Sequence, residues 1–141
     1  MIISSELENV GLVGRAVNKL CSDLFLETEI WNIELAVVEA VTNVIKHSYS
    51  KKPNGTVKII LKLGHEIVQI TIQDSGVSLD TGLIDLTGGN VIEFDPKDRA
   101  NLPEGGMGLY LIHKTMDKVN YLSKNGVNTL TLIKQRLVPV Q

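Results

Sequence analysis

The sequence predicts an α+β fold, a two-layer sandwich in which helices cover one face of a mostly antiparallel sheet. Two observations support it. Helical and strand patterns follow one another as helix, helix, strand, strand, loop, helix, strand, strand, and the strands form adjacent pairs joined by short turns. The length of 141 residues, 43% of them hydrophobic, suits one core. We therefore expect a single domain over residues 1–141.

The first predicted element is a helix that ends near Leu26. Ser4 or Ser5 suits its N-cap position, because a hydroxyl oxygen accepts a hydrogen bond from a free N–H group of the first turn. Apolar residues then recur at the spacing of a buried helix face: Leu7, Val10, Val13, Val17, Leu20 and Leu24.

A second helix is predicted from an N-cap at Thr28 to about Tyr49–Ser50, before Pro53. Trp31 lies near its start. We interpret Trp31 as a core or interface residue rather than as a platform for a ligand.

Glu39, Asn43 and His47 follow one another along this helix at four-residue spacing. Because the adjoining face is apolar, we expect the three to form the exposed edge of a packed helix. A carboxylate one turn before a carboxamide suits a site where one group polarises a hydroxyl or water and the other binds a hard cation. A solvated helix face has the same pattern, so further motifs are needed.

Four segments show the apolar alternation of strands: 57–63, 67–72, 119–123 and 128–134. The first two form a hairpin that turns at Gly64–Glu66, where His65 is a solvated turn residue. The last two form a hairpin that turns at Asn125–Gly126. Residues Lys51–Gly55 form the turn before the first hairpin.

Two more polar motifs each follow an apolar segment. Asp74 ends a strand, where a carboxylate can accept a hydrogen bond from an amino group, and Gly76 lets the backbone turn without a side chain in the way. Gly105–Gly108 opens a helix-like segment, whose first N–H groups suit phosphate. An ordinary turn and an ordinary loop are the alternatives for each motif alone. The order of the three motifs is more specific.

In these motifs the chain resembles the GHKL ATPase superfamily, which includes gyrase and the ATPase domains of histidine kinases. Glu39–Asn43 looks like its N box, Asp74–Gly76 like its first glycine box, and Gly106–Leu109 like its second. Residues 39–49 and 106–119 are similar to the anti-sigma factor serine kinases of the RsbW and SpoIIAB kind. The likeness covers nearly the whole chain and implies the GHKL, or Bergerat, form of the α+β sandwich.

The resemblance implies a serine-protein kinase that depends on ATP and Mg²⁺. Its substrate would be a STAS-domain anti-anti-sigma protein, and it would also bind a sigma factor or another regulator in a partner-switching module. A homodimer is expected, as in the relatives. Because Met1–Ile3 is shorter than the first strand usual in them, we expect that edge strand to be curtailed or absent.

The resemblance also implies residue roles. Glu39 would activate the substrate hydroxyl, Asn43 would bind Mg²⁺, and Asp74 would bind the adenine amino group. His47 would orient the end of the N-box helix or cap a lid, with a packing role as the alternative. Besides Glu39, the implied nucleotide site comprises Asn43, His47, Asp74, Gly76, Gly105, Gly106, Met107, Gly108 and Leu109.

The segment of about 77–104 is predicted to be a nucleotide lid. It is rich in glycine and proline, shows no sustained period, and lies between the adenine and phosphate motifs. Loops of this length are uncommon in compact domains unless they are functional or disordered. Lys97 and Arg99 either reach phosphate or a partner, or are solvated. Glu104 occupies a position where the family often has a basic residue, which leaves any arginine role open.

Several functional classes do not fit the composition. The net charge of −2 and the scattered basic residues argue against direct nucleic-acid binding. The chain has one cysteine, Cys21, no signal-like N-terminus, and no apolar stretch near the roughly 20 residues of a membrane span. We therefore expect a cytoplasmic protein without membrane contact.

Other nucleotide-binding motifs do not match. Lys114–Thr115 lacks the preceding glycine of a P-loop, and the Gly-x-Gly of the second glycine box lacks the third glycine of a dinucleotide fingerprint. Two rival functions remain. One is a non-catalytic ATP-binding module that sequesters a protein partner, against which the carboxylate of Glu39 argues. The other is a fragment of a histidine kinase, which needs a phosphate-accepting histidine on an N-terminal helix, and no histidine lies on one.

Overall fold

The computed structural model describes residues 1–78 and 106–136, and in the second range the side chains from residue 110 onward. The helices are α1 (Val10–Cys21), α2 (Glu27–Asn43) and α3 (Gly106–Thr115). The strands are β1 (Ile2–Ser4), β2 (Thr56–Leu63), β3 (Ile67–Asp74), β4 (Lys118–Lys124) and β5 (Val127–Gln135). A short 3₁₀ helix at Leu7–Asn9 precedes α1, and a π-helix at Val44–Ser48 continues α2.

The strands form one sheet in the order β1-β2-β3-β5-β4, and every pair of neighbours is antiparallel. Both predicted hairpins, β2–β3 and β4–β5, are confirmed. The second turns where predicted, because Asn125 and Gly126 adopt φ angles of 55° and 77°. Positive φ at both central residues is the requirement of the tight hairpin turn that matches strand twist.

The core lies between one face of the sheet and the helices. On β3, Val68, Ile70 and Ile72 are buried at every second position, and they join one cluster with helical residues such as Ile33 and Val37. The opposite face of the sheet carries the residues in between, which are exposed or half-buried. The predicted two-layer α+β architecture is therefore confirmed.

The predicted start of the first helix is wrong. Ser4 ends β1 opposite Thr56 of β2, so its backbone belongs to the sheet. Ser5 is fully buried, where its hydroxyl donates to the Lys52 carbonyl and accepts from the Gly55 N–H at 2.9 Å. The edge strand is thus present, with three residues. The helix α1 begins only at Val10 and ends at Cys21, before the predicted Leu26.

The predicted N-cap of the second helix is also wrong. Leu26, not Thr28, takes the capping position, and its N–H donates to the Glu29 carboxylate at 3.0 Å. The carboxylate thus satisfies the N–H of the capping residue itself, and the leucine side chain offers no acceptor to the first turn. Trp31 is 63% exposed, so a core role is wrong and an interface role stays a prediction.

The helical segment ends close to the predicted Tyr49–Ser50, but its last turn is wider than an α-helical turn. The Tyr49 N–H donates to the carbonyl of Val44, five residues earlier, at 3.1 Å. Ser50 and Lys51 then adopt φ angles of 50° and 63°, which ends the helix. Such π-turns in α-helices are frequent at functional sites.

Candidate functional site

A cavity between α2 and the sheet brings Asn43 and Asp74 together. It contains about 310 Å³ of empty space, part of it open to solvent. Its lining comes from α2, the π-helix and three strands: Ala40, Asn43, Val44, Ser48, Asp74, Tyr121 and Leu130. Two of the three motifs predicted from the sequence therefore share one pocket with an apolar wall.

Asp74 is buried at the end of β3, with 5% of its surface exposed. Its Oδ1 accepts hydrogen bonds from the Gly76 N–H at 2.9 Å and from Nδ2 of Asn128 at 2.8 Å. Burial raises the pKa of Asp74, and the hydrogen bonds from Asn128, Gly76 and the Ser48 side chain offset only part of that rise. The pocket thus holds a carboxyl group that water solvates poorly and that can accept a further hydrogen bond from a ligand.

Asn128 of β5 holds this carboxyl in place, and no role was predicted for it from the sequence. It is 1% exposed, and its Nδ2 donates both to Asp74 and to the Gly76 carbonyl, the latter at 3.0 Å. The Ser123 hydroxyl donates to Oδ1 of Asn128 at 2.7 Å. An asparagine at the inward position of an alternating strand, before Leu130 and Leu132, was the signal that could have identified it.

Gly76 makes the closest backbone contact at the site. A Cβ atom there would lie 2.3 Å from the Ser48 carbonyl oxygen, far inside van der Waals contact. The next N–H, that of Val77, donates to the same oxygen at 2.9 Å. The turn after β3 therefore rests directly on the π-helix, with no room for a side chain.

Replacing Gly76 by alanine should destabilise the protein, because the new methyl group must displace the backbone of Ser48. Overpacking of this kind costs about 1–3 kcal/mol of unfolding free energy, and occasionally more. Urea unfolding followed by circular dichroism measures the loss. Gly11→Ala is the matched control, since its Cβ would meet only the flexible end of Arg15. Equal stability of the Gly76 variant and the parent would refute the contact.

Tyr49 links this turn to the start of β2, and no role was predicted for it. Its hydroxyl donates to the Thr56 carbonyl at 2.7 Å and accepts from the Ser75 N–H at 2.8 Å. The ring lies against Gly55, where a Cβ would approach it to 2.6 Å. Tyr49 thereby fixes the backbone between Asp74 and Gly76.

Asn43 is 8% exposed, so the expectation of an exposed edge is wrong at this position. The helix α2 packs against both α1 and α3, which leaves little of its surface to solvent. Among the residues that the structure describes, the amide nitrogen of Asn43 is buried without a hydrogen-bond partner. Since an unpaired buried polar group is costly, this amide suits a site that a polar ligand completes.

The Asn43 amide also carries a carbonyl oxygen, a hard ligand of the kind that Mg²⁺ prefers. Within residues 1–78 and 106–136 no cluster of three or more His, Cys, Asp or Glu side chains could hold a metal ion. A cation bound beside Asn43 would therefore take most of its ligands from phosphate and water, as Mg²⁺ commonly does in nucleotide sites. The residues present fit such an ion.

Glu39 lies one turn before Asn43 on α2 and is half-buried. Neither Glu39 nor His47 lines the cavity. His47 is half-buried in the π-helix, whose wider turn moves it out of regular four-residue register with Asn43. Glu39 thus lies one helical turn from Asn43 and outside the lining of the cavity.

The second glycine motif begins α3. Gly106 is its first residue, Met107, Gly108 and Leu109 complete the first turn, and α3 packs beside α2. Gly105 lies outside the described residues, as do Lys97, Arg99, Glu104 and all of the predicted lid except residues 77 and 78.

Comparison with known proteins finds relatives over most of the chain. The family model of the histidine kinase-like ATPase domain matches residues 3–134. The serine-protein kinase RsbW of Halalkalibacterium halodurans is 33% identical over 128 residues, which cover 90% of this chain and 76% of that protein. RsbW of Bacillus subtilis is 30% identical over 129 residues, covering 90% and 79%. The resemblance drawn from the three motifs is confirmed.

RsbW of Staphylococcus aureus strain MRSA252 is 35% identical over 108 residues, or 75% of this chain, and the match spans 65% of that protein's length. Two solved structures share the fold. The RsbU and RsbW domains of a Mycobacterium tuberculosis protein superpose with a TM-score of 0.62 at 15% identity, covering 99% of this chain and 34% of that one. A histidine kinase domain from Erythrobacter litoralis gives 0.57 at 14% identity, covering 91% and 59%.

Proposed function

We propose that this chain, which belongs to the histidine kinase-like ATPase domain family, is a serine-protein kinase that uses ATP and Mg²⁺. The cavity shared by Asn43 and Asp74 is the observation that carries the proposal. It combines a buried carboxyl group, a buried amide nitrogen that has no hydrogen-bond partner among the described residues, and an apolar wall, which are the features of a small-molecule site. The names of the RsbW relatives support the transfer of phosphate to serine.

Asp74 would accept a hydrogen bond from the exocyclic amino group of adenine. The bonds from Gly76, Asn128 and Ser48 hold the carboxyl group in one orientation before the nucleotide arrives. The apolar side of the cavity, which includes Val44, would pack against the flat face of the base. Gly76 would keep the backbone close to the base, with no side chain in the way.

Asn43 would bind Mg²⁺ through its amide oxygen. The ion, when bound, supplies charge neutralisation of the transferring phosphate. Gly106 and Gly108, at the start of α3, would present backbone N–H groups to the phosphates, as helix starts do. Gly105, Met107 and Leu109 complete the proposed site, together with His47.

Glu39 would act as the general base that accepts the proton of the substrate serine hydroxyl. Its place one turn before Asn43 on α2 brings a carboxylate beside the proposed metal ligand. Within residues 1–78 and the side chains described from 110 to 136, no hydrogen bond to its carboxylate competes for this role. Proton transfer by a positioned carboxylate is a standard contribution to such chemistry.

The proposed substrate is a STAS-domain anti-anti-sigma protein, and the proposed second partner is a sigma factor or another regulator. A homodimer in the cytoplasm is the expected working form. No described helix combines the length and hydrophobicity of a membrane span.

The deciding experiment incubates the protein with γ-labelled ATP, Mg²⁺ and a candidate STAS-domain protein. Transfer of label to that protein, lost when its acceptor serine is changed to alanine, supports the kinase. Binding of ATP and of the STAS protein without any transfer would instead identify the alternative, a regulatory module that sequesters its partner without catalysis.

Asn128→Ala is expected to weaken the binding of ATP and ADP by a similar factor. The variant removes the donor that orients Asp74 and leaves the buried carboxyl group less well held, a loss of about 1–3 kcal/mol. Calorimetric titration of the purified protein measures it. Ser123→Ala serves as the control, because it removes only the outer member of the network and should cost less. Unchanged affinity in Asn128→Ala would mean that this residue serves packing alone.

A further inference from the structure

The face of the sheet opposite the helices, here called the open face, is positively charged. The alternation that directs one set of strand residues into the core directs the other set away from it. Four of the outward residues are lysines with exposed side chains: Lys58 and Lys62 on β2, and Lys118 and Lys124 on the edge strand β4.

The pairing of the strands gives the spacing of these charges. Lys62 and Lys118 share one row across the sheet, through Gln69 of β3 and Ile133 of β5. Three strand spacings separate them, or about 14 Å between backbones. Lys58 lies four residues from Lys62 on the same strand, about 13 Å away. The lysines therefore frame the open face.

The centre of the frame is uncharged and can form hydrogen bonds. Thr71 of β3 pairs with Thr131 of β5 in its middle row, and both are half-buried. The outward positions of β2 to β5 hold no aspartate or glutamate. The adjacent acids are at the rim. Glu66 is in the β2–β3 turn, and Asp117 accepts a hydrogen bond from the Gln135 N–H at 2.5 Å.

Four lysines with no acidic residue among the outward positions of β2 to β5 are a strong bias in a chain whose acidic residues outnumber its basic ones, 16 to 14. Clustered charge of one sign creates a potential that attracts the opposite sign over several ångströms. We propose that the open face is a docking surface for a protein partner with an acidic surface. Its carboxylates would meet the framing lysines, and its polar groups would meet the central threonines.

Other occupants fit the open face less well. The outward positions of β2 to β5 carry no arginine and no aromatic residue, whereas phosphate and base recognition rely on both. A second copy of this chain would set lysines against lysines. The open face also lies across the sheet from Asp74, which is buried on the core side. The partner would therefore leave the cavity accessible, and the proposal does not rest on the kinase activity.

The test uses fluorescein-labelled poly-L-glutamate of 20 residues as the probe, with binding measured by anisotropy at low and moderate salt. Lys58→Glu/Lys118→Glu should weaken binding by at least about tenfold, because it reverses charge on both sides of the frame. Lys19→Glu/Lys52→Glu changes the net charge equally at exposed sites elsewhere and should change affinity less than about twofold. Circular dichroism and urea unfolding establish that both variants fold.

Equal losses in the two double variants would overturn the proposal, since they would indicate general charge attraction. So would tighter binding of a 20-nucleotide DNA, or of phosphatidylserine vesicles, than of poly-L-glutamate. Lys58→Gln/Lys118→Gln, which removes charge without reversing it, should give an intermediate loss. In ¹⁵N-labelled protein the probe should shift the amide signals of β2 and β4. Shifts confined to α1 would contradict the assignment.

Discussion

Glu39→Gln is expected to slow phosphoryl transfer to the protein substrate by about a hundred- to ten-thousand-fold, the usual effect of losing a general base. The amide keeps the size and polarity of the side chain, so α2 should keep its packing. ATP affinity should stay largely intact, because the carboxylate does not line the cavity. Single-turnover transfer of labelled phosphate measures the rate, and calorimetry measures the affinity.

Glu27→Gln provides the matched control on the same helix, because Glu27 is exposed in the first turn of α2, remote from the cavity. It should leave both rate and affinity unchanged. If Glu39→Gln transfers phosphate as fast as the parent, Glu39 is not the general base.

Asp74→Asn is expected to weaken the binding of ATP and ADP alike by about 1–3 kcal/mol, or about 5- to 150-fold in affinity. The loss should be partial, because the carboxamide oxygen can still accept one hydrogen bond. The preference among purine nucleotides should also change, since an amide offers a donor where the carboxylate offers only acceptors. Calorimetric titration with ATP, ADP and GTP decides the matter. Equal affinities in variant and parent would make Asp74 a turn residue only.

The same substitution should stabilise the protein at neutral pH. Burial raises the pKa of Asp74 in the folded state, whereas the unfolded chain titrates near the ordinary value of about 3.9. Below that pH the Asp74 carboxyl group is protonated in both the folded and the unfolded state, so its ionisation does not lower the free energy of unfolding. As pH rises through the ordinary and then the raised pKa, the folded state loses stability, and the loss is complete above the raised pKa.

Asparagine does not ionise, so Asp74→Asn should exceed the parent in unfolding free energy at pH 7 and lose that advantage as pH falls towards 4. Urea unfolding at several pH values measures the difference. A difference that does not change with pH would contradict a buried, ionising carboxyl group. Weaker nucleotide binding together with greater stability would indicate that the protein retains a costly group for its function.

The strand pairs could be predicted because their signals are local. Alternating apolar residues mark β2 to β5, and Asn125–Gly126 supplies the positive φ angles that a tight turn needs. The start of the first helix could not be predicted in the same way. Ser4 and Ser5 have the chemistry of an N-cap, but Ser4 pairs with Thr56 in the sheet, and the Ser5 hydroxyl bonds to Lys52 and Gly55, far along the chain. Tertiary pairing overrode local propensity.

The same distinction between local and long-range signals applies to the residues of the candidate site. Asn43 and Asp74 could be recognised because each belongs to a short motif, and the structure brings both into one cavity. Asn128 and Tyr49 were harder to recognise, because their roles depend on strand register and on the close approach of Gly55 to Tyr49 and of Gly76 to Ser48. The burial of Asn43 was missed as well, since periodicity places a residue on a stripe but does not show which helices flank it.

The contact between the turn after β3 and the π-helix has a mechanical consequence. The Val77–Ser48 hydrogen bond, the absence of space at Gly76 and the two bonds of the Tyr49 hydroxyl join that turn to the end of α2. The group proposed to bind adenine is therefore tied directly to the helical segment that carries Glu39. We expect nucleotide exchange to leave the carboxylate of Glu39, the proposed general base, in place, and we expect any motion that distinguishes ATP from ADP to arise at the proposed phosphate-binding end of the site.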